Sequence, residues 1–202
     1  MKVKWMKWGL LAVMSTTVLT ACQSQPKNEA DTVSGASIKT PREIIKSPVK
    51  KTDFLLGTAV ALSVYHPNTE EVITSALEMI KDLEKRITVN ASGSEVDEVN
   101  LAAGEKPVKV SADVYELIKL GLKYSEEFDG AFDVTVGPLT ALWHIGFDDA
   151  KKPTQEEIDA VLPLVNYKDV ELNDAEQTVF LKKKGMQLDL GGIAKGYIAD
   201  KV

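Results

Sequence analysis

The sequence contains little cysteine or histidine, two residue types that bind transition metals and serve in nucleophilic catalysis. Its 202 residues include one cysteine and two histidines. The single cysteine, Cys22, excludes an intramolecular disulfide, and no grouping of His, Cys and Glu has the spacing of a zinc site. Neither a Gly-x-Ser-x-Gly sequence nor a Cys–His pair is visible. His66 precedes a proline, and His144 follows Trp143, where we interpret it as a structural residue.

Positive charge is also scarce. The chain has 24 basic and 30 acidic residues, which gives a net charge of −6. Three of the lysines precede Cys22 in a segment that we expect to be removed, and without them 21 basic residues face the same 30 acidic ones, a net charge of −9. This balance argues against a nucleic-acid-binding protein.

Long apolar runs are absent except near the start. Residues Gly9–Leu19 form an apolar stretch that is too short to span a bilayer comfortably, and three lysines precede it. It ends in Leu19-Thr20-Ala21-Cys22, which resembles the bacterial lipobox. We therefore expect residues 1–21 to be a lipoprotein signal peptide and Cys22 to be diacylated, which would anchor the protein on the extracytoplasmic face of the cell membrane. The alternative is an ordinary signal peptide with a chance cysteine.

The sequence after residue 21 divides into a polar stretch and a folded domain. Residues 22–51 are rich in Lys, Ser, Thr and Pro and lack periodicity, which indicates a flexible tether. Residues 52–202 carry regular apolar patterns. The overall content of 44% hydrophobic and 27% charged residues is ordinary for a globular protein.

Apolar spacing and turn residues predict an α+β domain with antiparallel strands. Two of the predicted helix starts, Asn68 and Thr154, are followed by Glu71 and Glu157 at the capping-box position. The four predicted helix starts are Asn68, Ser94, Ser111 and Thr154. Strands are predicted in Phe54–Tyr65, Pro107–Val110, Ala131–Val136, Val170–Leu172, Thr178–Lys182 and Met186–Leu190.

The most informative stretch runs from Leu188 to Asp200. An alternating apolar run enters Gly191-Gly192 and a helical pattern follows, which is how a backbone offers free N–H groups to an anion. Lys195 adds a positive charge near that helix start, and Asp189 could accept a hydrogen bond from a ligand. The stretch is neither a Gly-x-Gly-x-x-Gly fingerprint nor a Walker A motif. The alternative is a structural glycine turn that closes a hairpin onto a helix.

Two other segments combine glycines with small polar residues. In the first, Asp129–Leu139, the two-residue period of a strand predicts that Asp133 and Thr135 share one face, although a solvated hairpin edge would look the same. The second runs from Thr88 to Val96 and is followed by Asn100. It could bind a ligand, but such residues more often cap helices, and Ser94 suits that role.

Together these segments resemble the ApbE family of FAD:protein FMN transferases. The matching residues are Gly130–Leu139 and Asp189–Asp200, with Ser94-Glu95-Val96, Asn100 and Gly57-Thr58. The resemblance covers about residues 53–202 and implies an ApbE-like α+β domain. It further implies Mg²⁺-dependent transfer of FMN from FAD to a threonine or serine hydroxyl of an exported flavoprotein, with release of AMP.

The resemblance also implies roles for individual residues. Asp189 would contact the flavin or its linker, Lys195 would contact FAD near the phosphates, and the backbone carbonyl of Gly192 would bind Mg²⁺. Ala131, Phe132 and Asp133 would line the FAD site. Leu56 stands where the family often has a methionine against the cofactor, and Asn90 stands near a common tyrosine position.

The chain departs from the family in its extent. Family members continue with a segment that bears a histidine motif and an Asp/Thr loop that supplies side-chain ligands of Mg²⁺. We therefore expect residues 52–202 to be the N-terminal portion of the domain, the C-terminal part to be missing, and the catalytic group to lie in that part. The alternatives are an FAD-binding lipoprotein that transfers nothing, an FAD pyrophosphatase, an inactive fragment and a structural lipoprotein.

Overall fold

A computed structural model describes residues 44–202 of the protein. The predicted signal peptide, Cys22 and most of the predicted tether lie outside this range. No helix in the described range combines the length and the apolar character needed to cross a membrane. Its helices are α1 (Thr69–Ile87), α2 (Glu95–Leu101), α3 (Ala112–Glu127), α4 (Gly137–Trp143), α5 (Gln155–Val161) and α6 (Gly191–Lys201). Its strands are β1 (Val49–Leu55), β2 (Thr58–Val64), β3 (Val108–Lys109), β4 (Val170–Asn173) and β5 (Thr178–Leu181).

The strands form two antiparallel sheets. Strands β1 and β2 make a hairpin, and the other three strands form a sheet in the order β3-β5-β4. This arrangement confirms the predicted α+β class. Strand β1 begins at Val49, inside the range predicted to be tether, because Lys50 and Lys51 pair through their backbones with Ser63 and Leu62 of β2. The start of β1 was not predicted because its own residues are polar, whereas the apolar alternation lies in its partner strand, β2.

Helix α1 positions one wall of the domain core. Its apolar residues recur every three or four positions, so they share one face of the helix. The buried members are Ile73, Leu77, Ile80, Leu83 and Ile87, all in one core cluster. The predicted capping box at its start is wrong, because the side chain of Asn68 makes no capping hydrogen bond. The Asn68 N–H instead donates to Nδ1 of His66 at 3.1 Å, within a local turn.

The other predicted caps have mixed outcomes. At α5 the capping box is confirmed, because Thr154 accepts the Glu157 N–H and Glu157 accepts the Thr154 N–H. Ser94 caps α2 by accepting the Asp97 N–H at 2.9 Å. Ser111 precedes α3 as predicted, but its hydroxyl instead accepts a hydrogen bond from the Arg86 guanidinium at 2.8 Å.

The predicted strand Ala131–Val136 is wrong. These residues form turns, and Asp133 accepts hydrogen bonds from both the N–H and the hydroxyl of Thr135, at 2.8 and 2.7 Å. A short side chain that accepts the hydrogen bonds of its own segment competes with a strand ladder. Gly137 and Pro138 then begin α4, because proline suits the first turn of a helix.

Candidate functional site

Two cavities meet on one side of the described domain. The larger has a volume of about 720 Å³ and the smaller about 170 Å³. Val89, Asn90 and Asp189 line both cavities, so these three residues form the junction between them. The larger cavity is also lined by residues of α2, α4 and the loop after α4. The smaller cavity lies among the β1–β2 turn, the end of α1 and the start of α6.

The segment that carries Asp189 is extended but is not the strand predicted for Met186–Leu190. Its one ladder contact is a parallel bridge between Gln187 and Val136. The amide side chain of Asn100 replaces a neighbouring strand, because it accepts the Leu188 N–H at 2.7 Å and donates to the Leu188 carbonyl at 3.1 Å. The Asp189 N–H donates to the Val134 carbonyl at 2.8 Å. These bonds fix the backbone at the junction of the cavities.

The carboxylate of Asp189 is itself held in place. One oxygen accepts the Gly191 N–H at 2.9 Å, and the other accepts the hydroxyl hydrogen bond of Thr140 at 2.8 Å. Thr140 belongs to α4, so Asp189 links the start of α6 to α4. Sequence reasoning identified Asp189 but missed Thr140, because the two residues are 49 positions apart and nothing in the intervening sequence indicates the contact.

The start of α6 has the open backbone that the glycine pair predicted. Among residues 44–202, the Gly192 N–H has no hydrogen-bond acceptor, whereas Ile193 and Ala194 donate to the Leu190 carbonyl. Phe132 packs beside this turn so closely that a Cβ atom added to Gly192 would lie 3.0 Å from its Cε2 atom. A side chain at this position would therefore crowd the ring, which explains why glycine fits here.

Lys195 lies on the second turn of α6 and lines the smaller cavity with Leu56 and Asn90. Within the described part of the chain, its ammonium group forms no ion pair. Lys195 therefore supplies a positive charge near the helix start, in a cavity that the carboxylates of Glu84 and Asp189 also line. The structure thus brings together four residues that were predicted to bind FAD, namely Leu56, Asn90, Asp189 and Lys195.

The other three predicted FAD-site residues are placed differently. Ala131, Phe132 and Asp133 line neither of these two cavities. Asp133 connects its own turn to the segment before β4, because its second carboxylate oxygen accepts the Tyr167 N–H at 3.0 Å. Phe132 supports the glycine turn of α6. These residues contribute to the site through its framework in the described structure.

The rim of the larger cavity is apolar and exposed. Leu101 and Ile145 have 74% and 80% of their surfaces exposed, and both line the cavity. His144 follows the last residue of α4 and has a left-handed backbone conformation. Its ring stacks on Phe147 with centroids 4.0 Å apart. Its Nδ1 atom lies 2.6 Å from a carboxylate oxygen of Asp149. These contacts agree with the structural interpretation of this histidine and shape the rim.

The comparisons with known proteins identify the family. The described structure is an α+β domain with two adjacent cavities beside a glycine turn. The sequence model described as the ApbE family matches residues 56–202. The chain belongs to the ApbE family.

Several relatives carry names that describe an activity. The chain is 41% identical over 148 residues to an FAD:protein FMN transferase of Klebsiella pneumoniae, covering 73% of this chain and 46% of the relative. It is 33% identical over 161 residues to an FAD:protein FMN transferase of Treponema pallidum, covering 75% and 44%. The chain thus spans about half the length of these relatives.

Solved structures show the same fold. The crystal structure of the ApbE protein from Thermotoga maritima is 34% identical, with a TM-score of 0.72, and the match covers 77% of this chain and 51% of that one. The flavin transferase ApbE from Vibrio cholerae has a TM-score of 0.67 at 23% identity, covering 77% of this chain and 52% of that one. The second likeness concerns the fold alone.

Proposed function

We propose that this chain forms the FAD-binding part of an FAD:protein FMN transferase. The observation that carries the proposal is the junction at Asp189, which joins a large cavity to a small one that contains Lys195 and the start of α6. FAD consists of two mononucleotides linked by a pyrophosphate, so two adjacent cavities suit its two halves, and Lys195 supplies a positive charge for the phosphates. The names of the relatives supply the reaction.

The proposed reaction is a phosphoryl-type transfer. A threonine or serine hydroxyl of a target flavoprotein attacks the phosphorus on the FMN side of the pyrophosphate. The new oxygen–phosphorus bond forms, the bond to the AMP oxygen breaks, and the hydroxyl proton passes to a base. Positioning and neutralisation of the phosphate charge account for most catalysis of this kind. Lys195 would neutralise phosphate charge, and Asp189 would orient the flavin side. We assign the base to no described residue.

Magnesium is part of the proposal through the family resemblance. Among residues 44–202, no group of three His, Cys, Asp or Glu side chains could hold a metal ion. The Gly192 carbonyl, which the resemblance assigns to Mg²⁺, lies in the first turn of α6. This carbonyl would be one of several oxygen ligands of Mg²⁺, together with waters and the phosphate oxygens of FAD. The proposal predicts that removing Mg²⁺ with EDTA stops FMN transfer.

Membrane attachment is a further part of the proposal, supported by the lipobox-like Leu19–Cys22 and the short apolar run before it. A diacylated Cys22 would hold the enzyme on the extracytoplasmic face, where its targets would be exported flavoproteins. Substituting Cys22→Ser should move the protein from the membrane fraction to the soluble fraction of cells. An unchanged distribution contradicts the lipid anchor.

The first test is FAD binding by this chain. Titration with the protein should change the fluorescence of FAD and saturate, and no change up to millimolar protein contradicts the proposal. Transfer itself is tested with the chain extended to the length of its relatives, incubated with FAD, Mg²⁺ and a flavoprotein domain. A fluorescent protein band on a denaturing gel is expected, and it should disappear when the acceptor threonine of the target is changed to valine.

A second candidate function is hydrolysis of FAD to FMN and AMP. The observation that favours it is Asn90, an exposed amide at the junction of the cavities where the resemblance has a tyrosine. A small polar residue leaves this junction open to water. Chromatography of the same reaction distinguishes the two functions, because hydrolysis releases free FMN without any flavin on protein.

A further inference from the structure

The turn between β1 and β2 holds a bulky residue in an unfavourable conformation. Leu56 and Gly57 are its two central residues, and both have a positive φ, of 56° and 66°. Such a turn suits the twist of a hairpin, but it favours asparagine followed by glycine. A left-handed leucine is less stable than a right-handed one, because its Cβ atom lies too close to the following carbonyl oxygen. The fold must therefore contain contacts that hold Leu56 in this state.

Glu84 provides such a contact. Its Oε1 atom accepts the Leu56 N–H at 2.7 Å, across 28 residues of sequence. Glu84 lies in the second half of α1, whose apolar face is buried in the core, so the carboxylate is presented from a rigid element. A hydrogen bond to a carboxylate is stronger than one between neutral groups. The contact therefore fixes the turn relative to α1.

The same contact faces the smaller cavity. Leu56 and Glu84 both line it, together with Lys195. Both the leucine side chain and the carboxylate are half-buried there. Bulky residues with positive φ concentrate at ligand sites, where the surrounding structure over-determines them. An apolar side chain and a lysine in one small cavity suit a ligand in which a ring system adjoins a phosphate.

We propose that Glu84 is a positioning residue for the bound flavin nucleotide, an inference that rests on the proposed function. Its carboxylate holds Leu56 in the left-handed conformation, and this aims the leucine side chain at the ligand in the smaller cavity. Glu84 acts through Leu56 and has no contact of its own with the ligand.

A neighbouring ion pair offers a matched control. Lys81 of α1 lies 3.3 Å from a carboxylate oxygen of Asp53 in β1, so it joins the same two elements as the Glu84 contact. Both partners are well exposed, at 55% and 38%, and neither lines either of the two cavities. Lys81→Ala therefore removes a link between the hairpin and the helix without touching the Leu56 turn.

The test is a titration of FAD fluorescence with the 202-residue protein and its variants. Glu84→Ala should weaken FAD binding about tenfold, whereas Glu84→Gln, which keeps an acceptor oxygen, and Lys81→Ala should stay within about twofold. Leu56→Gly removes the cost of the positive φ at this position, because glycine adopts positive φ readily. In that background Glu84→Ala should change the affinity less than about twofold, because the residue through which Glu84 acts is gone.

Each outcome decides a separate question. Wild-type protein that does not bind FAD overturns the proposed function and this inference with it. Wild-type binding with unchanged affinity in Glu84→Ala overturns the inference alone. The inference is also overturned if Glu84→Ala lowers FAD affinity equally in the Leu56→Gly and wild-type backgrounds, because Glu84 would then act on the ligand directly. If Glu84→Ala fails to fold by circular dichroism, Glu84→Asp, whose carboxylate is one methylene shorter, takes its place with the same expected loss.

Discussion

The side-chain amide of Asn100 pairs with the backbone of Leu188 in the way that a neighbouring strand would. Its amide group makes both backbone hydrogen bonds that a neighbouring strand would make, accepting the Leu188 N–H at 2.7 Å and donating to its carbonyl at 3.1 Å. Leu188 is fully buried, so neither of its backbone groups can turn to water instead. Asn100 therefore helps to position Asp189, the next residue, together with the bond from the Asp189 N–H to the Val134 carbonyl.

Replacing Asn100 should destabilise the domain. Asn100→Ala leaves two buried backbone groups without partners and should lower the free energy of unfolding by about 2 kcal/mol. Asn100→Asp keeps only an acceptor, for the Leu188 N–H, and also places a charge beside the Leu188 carbonyl, so it should be destabilising as well. Urea denaturation followed by circular dichroism measures both variants. A change below about 0.5 kcal/mol in Asn100→Ala would show that the two bonds contribute little.

Thr140 should matter for ligand binding more than for stability. Thr140→Val removes the hydroxyl that donates to Asp189 at 2.8 Å while keeping the shape of the side chain. The freed carboxylate can rotate, and FAD affinity should fall about fivefold, whereas unfolding should change little because Thr140 is exposed. Thr140→Ser keeps the hydroxyl and should retain wild-type affinity. A loss of affinity in the serine variant with wild-type affinity in the valine variant would point to the methyl group instead.

Lys195 should strengthen binding only of ligands that carry a phosphate group. Lys195→Ala should weaken FAD binding about tenfold at low salt and leave the affinity for riboflavin, which has no phosphate, unchanged. Lys195→Arg keeps the positive charge and should bind FAD nearly as the wild type does. The difference between alanine and wild type should shrink as salt rises. Parallel losses for FAD and riboflavin contradict a phosphate contact.

Acid should weaken the contact between Asp169 and Lys183, which lie 2.7 Å apart. The Lys183 ammonium holds the pKa of Asp169 below its ordinary value of 3.8. The ion pair therefore stabilises the fold fully above that ordinary value, and this contribution is lost as the pH falls through the lowered pKa of the folded state. Wild type should exceed Asp169→Asn in unfolding free energy at pH 7, and the difference should narrow as the pH falls below 3.8. A gap that is constant with pH contradicts this prediction.

Local patterns predicted the elements whose stabilising contacts are local. The stripe of α1 and the capping box of Thr154 and Glu157 depend on residues three or four apart, and both are present. One pattern failed because a distant partner decides the structure. Met186–Leu190 alternates like a strand, yet Asn100 supplies the hydrogen bonds of Leu188. No feature of residues 186–190 indicates that a side chain of α2 supplies these hydrogen bonds.

The candidate site shows the same division. The glycine pair and Lys195 were recognisable, because a helix start after two glycines is a local feature. Glu84 and Thr140 were missed, since each acts on a residue 28 or 49 positions away. Ala131, Phe132 and Asp133 were recognised as a motif, but the sequence did not indicate that they lie outside these two cavities and instead organise turns.

In the reaction proposed above, the junction formed by Val89, Asn90 and Asp189 has a consequence for the release of products. A ligand whose two halves occupy both cavities is held twice, and each half keeps the other at a high local concentration. Breaking the bond between the halves at the junction removes this advantage at once. One tightly held molecule becomes two loosely held ones, so the geometry that favours capture of the intact ligand also favours departure of its pieces.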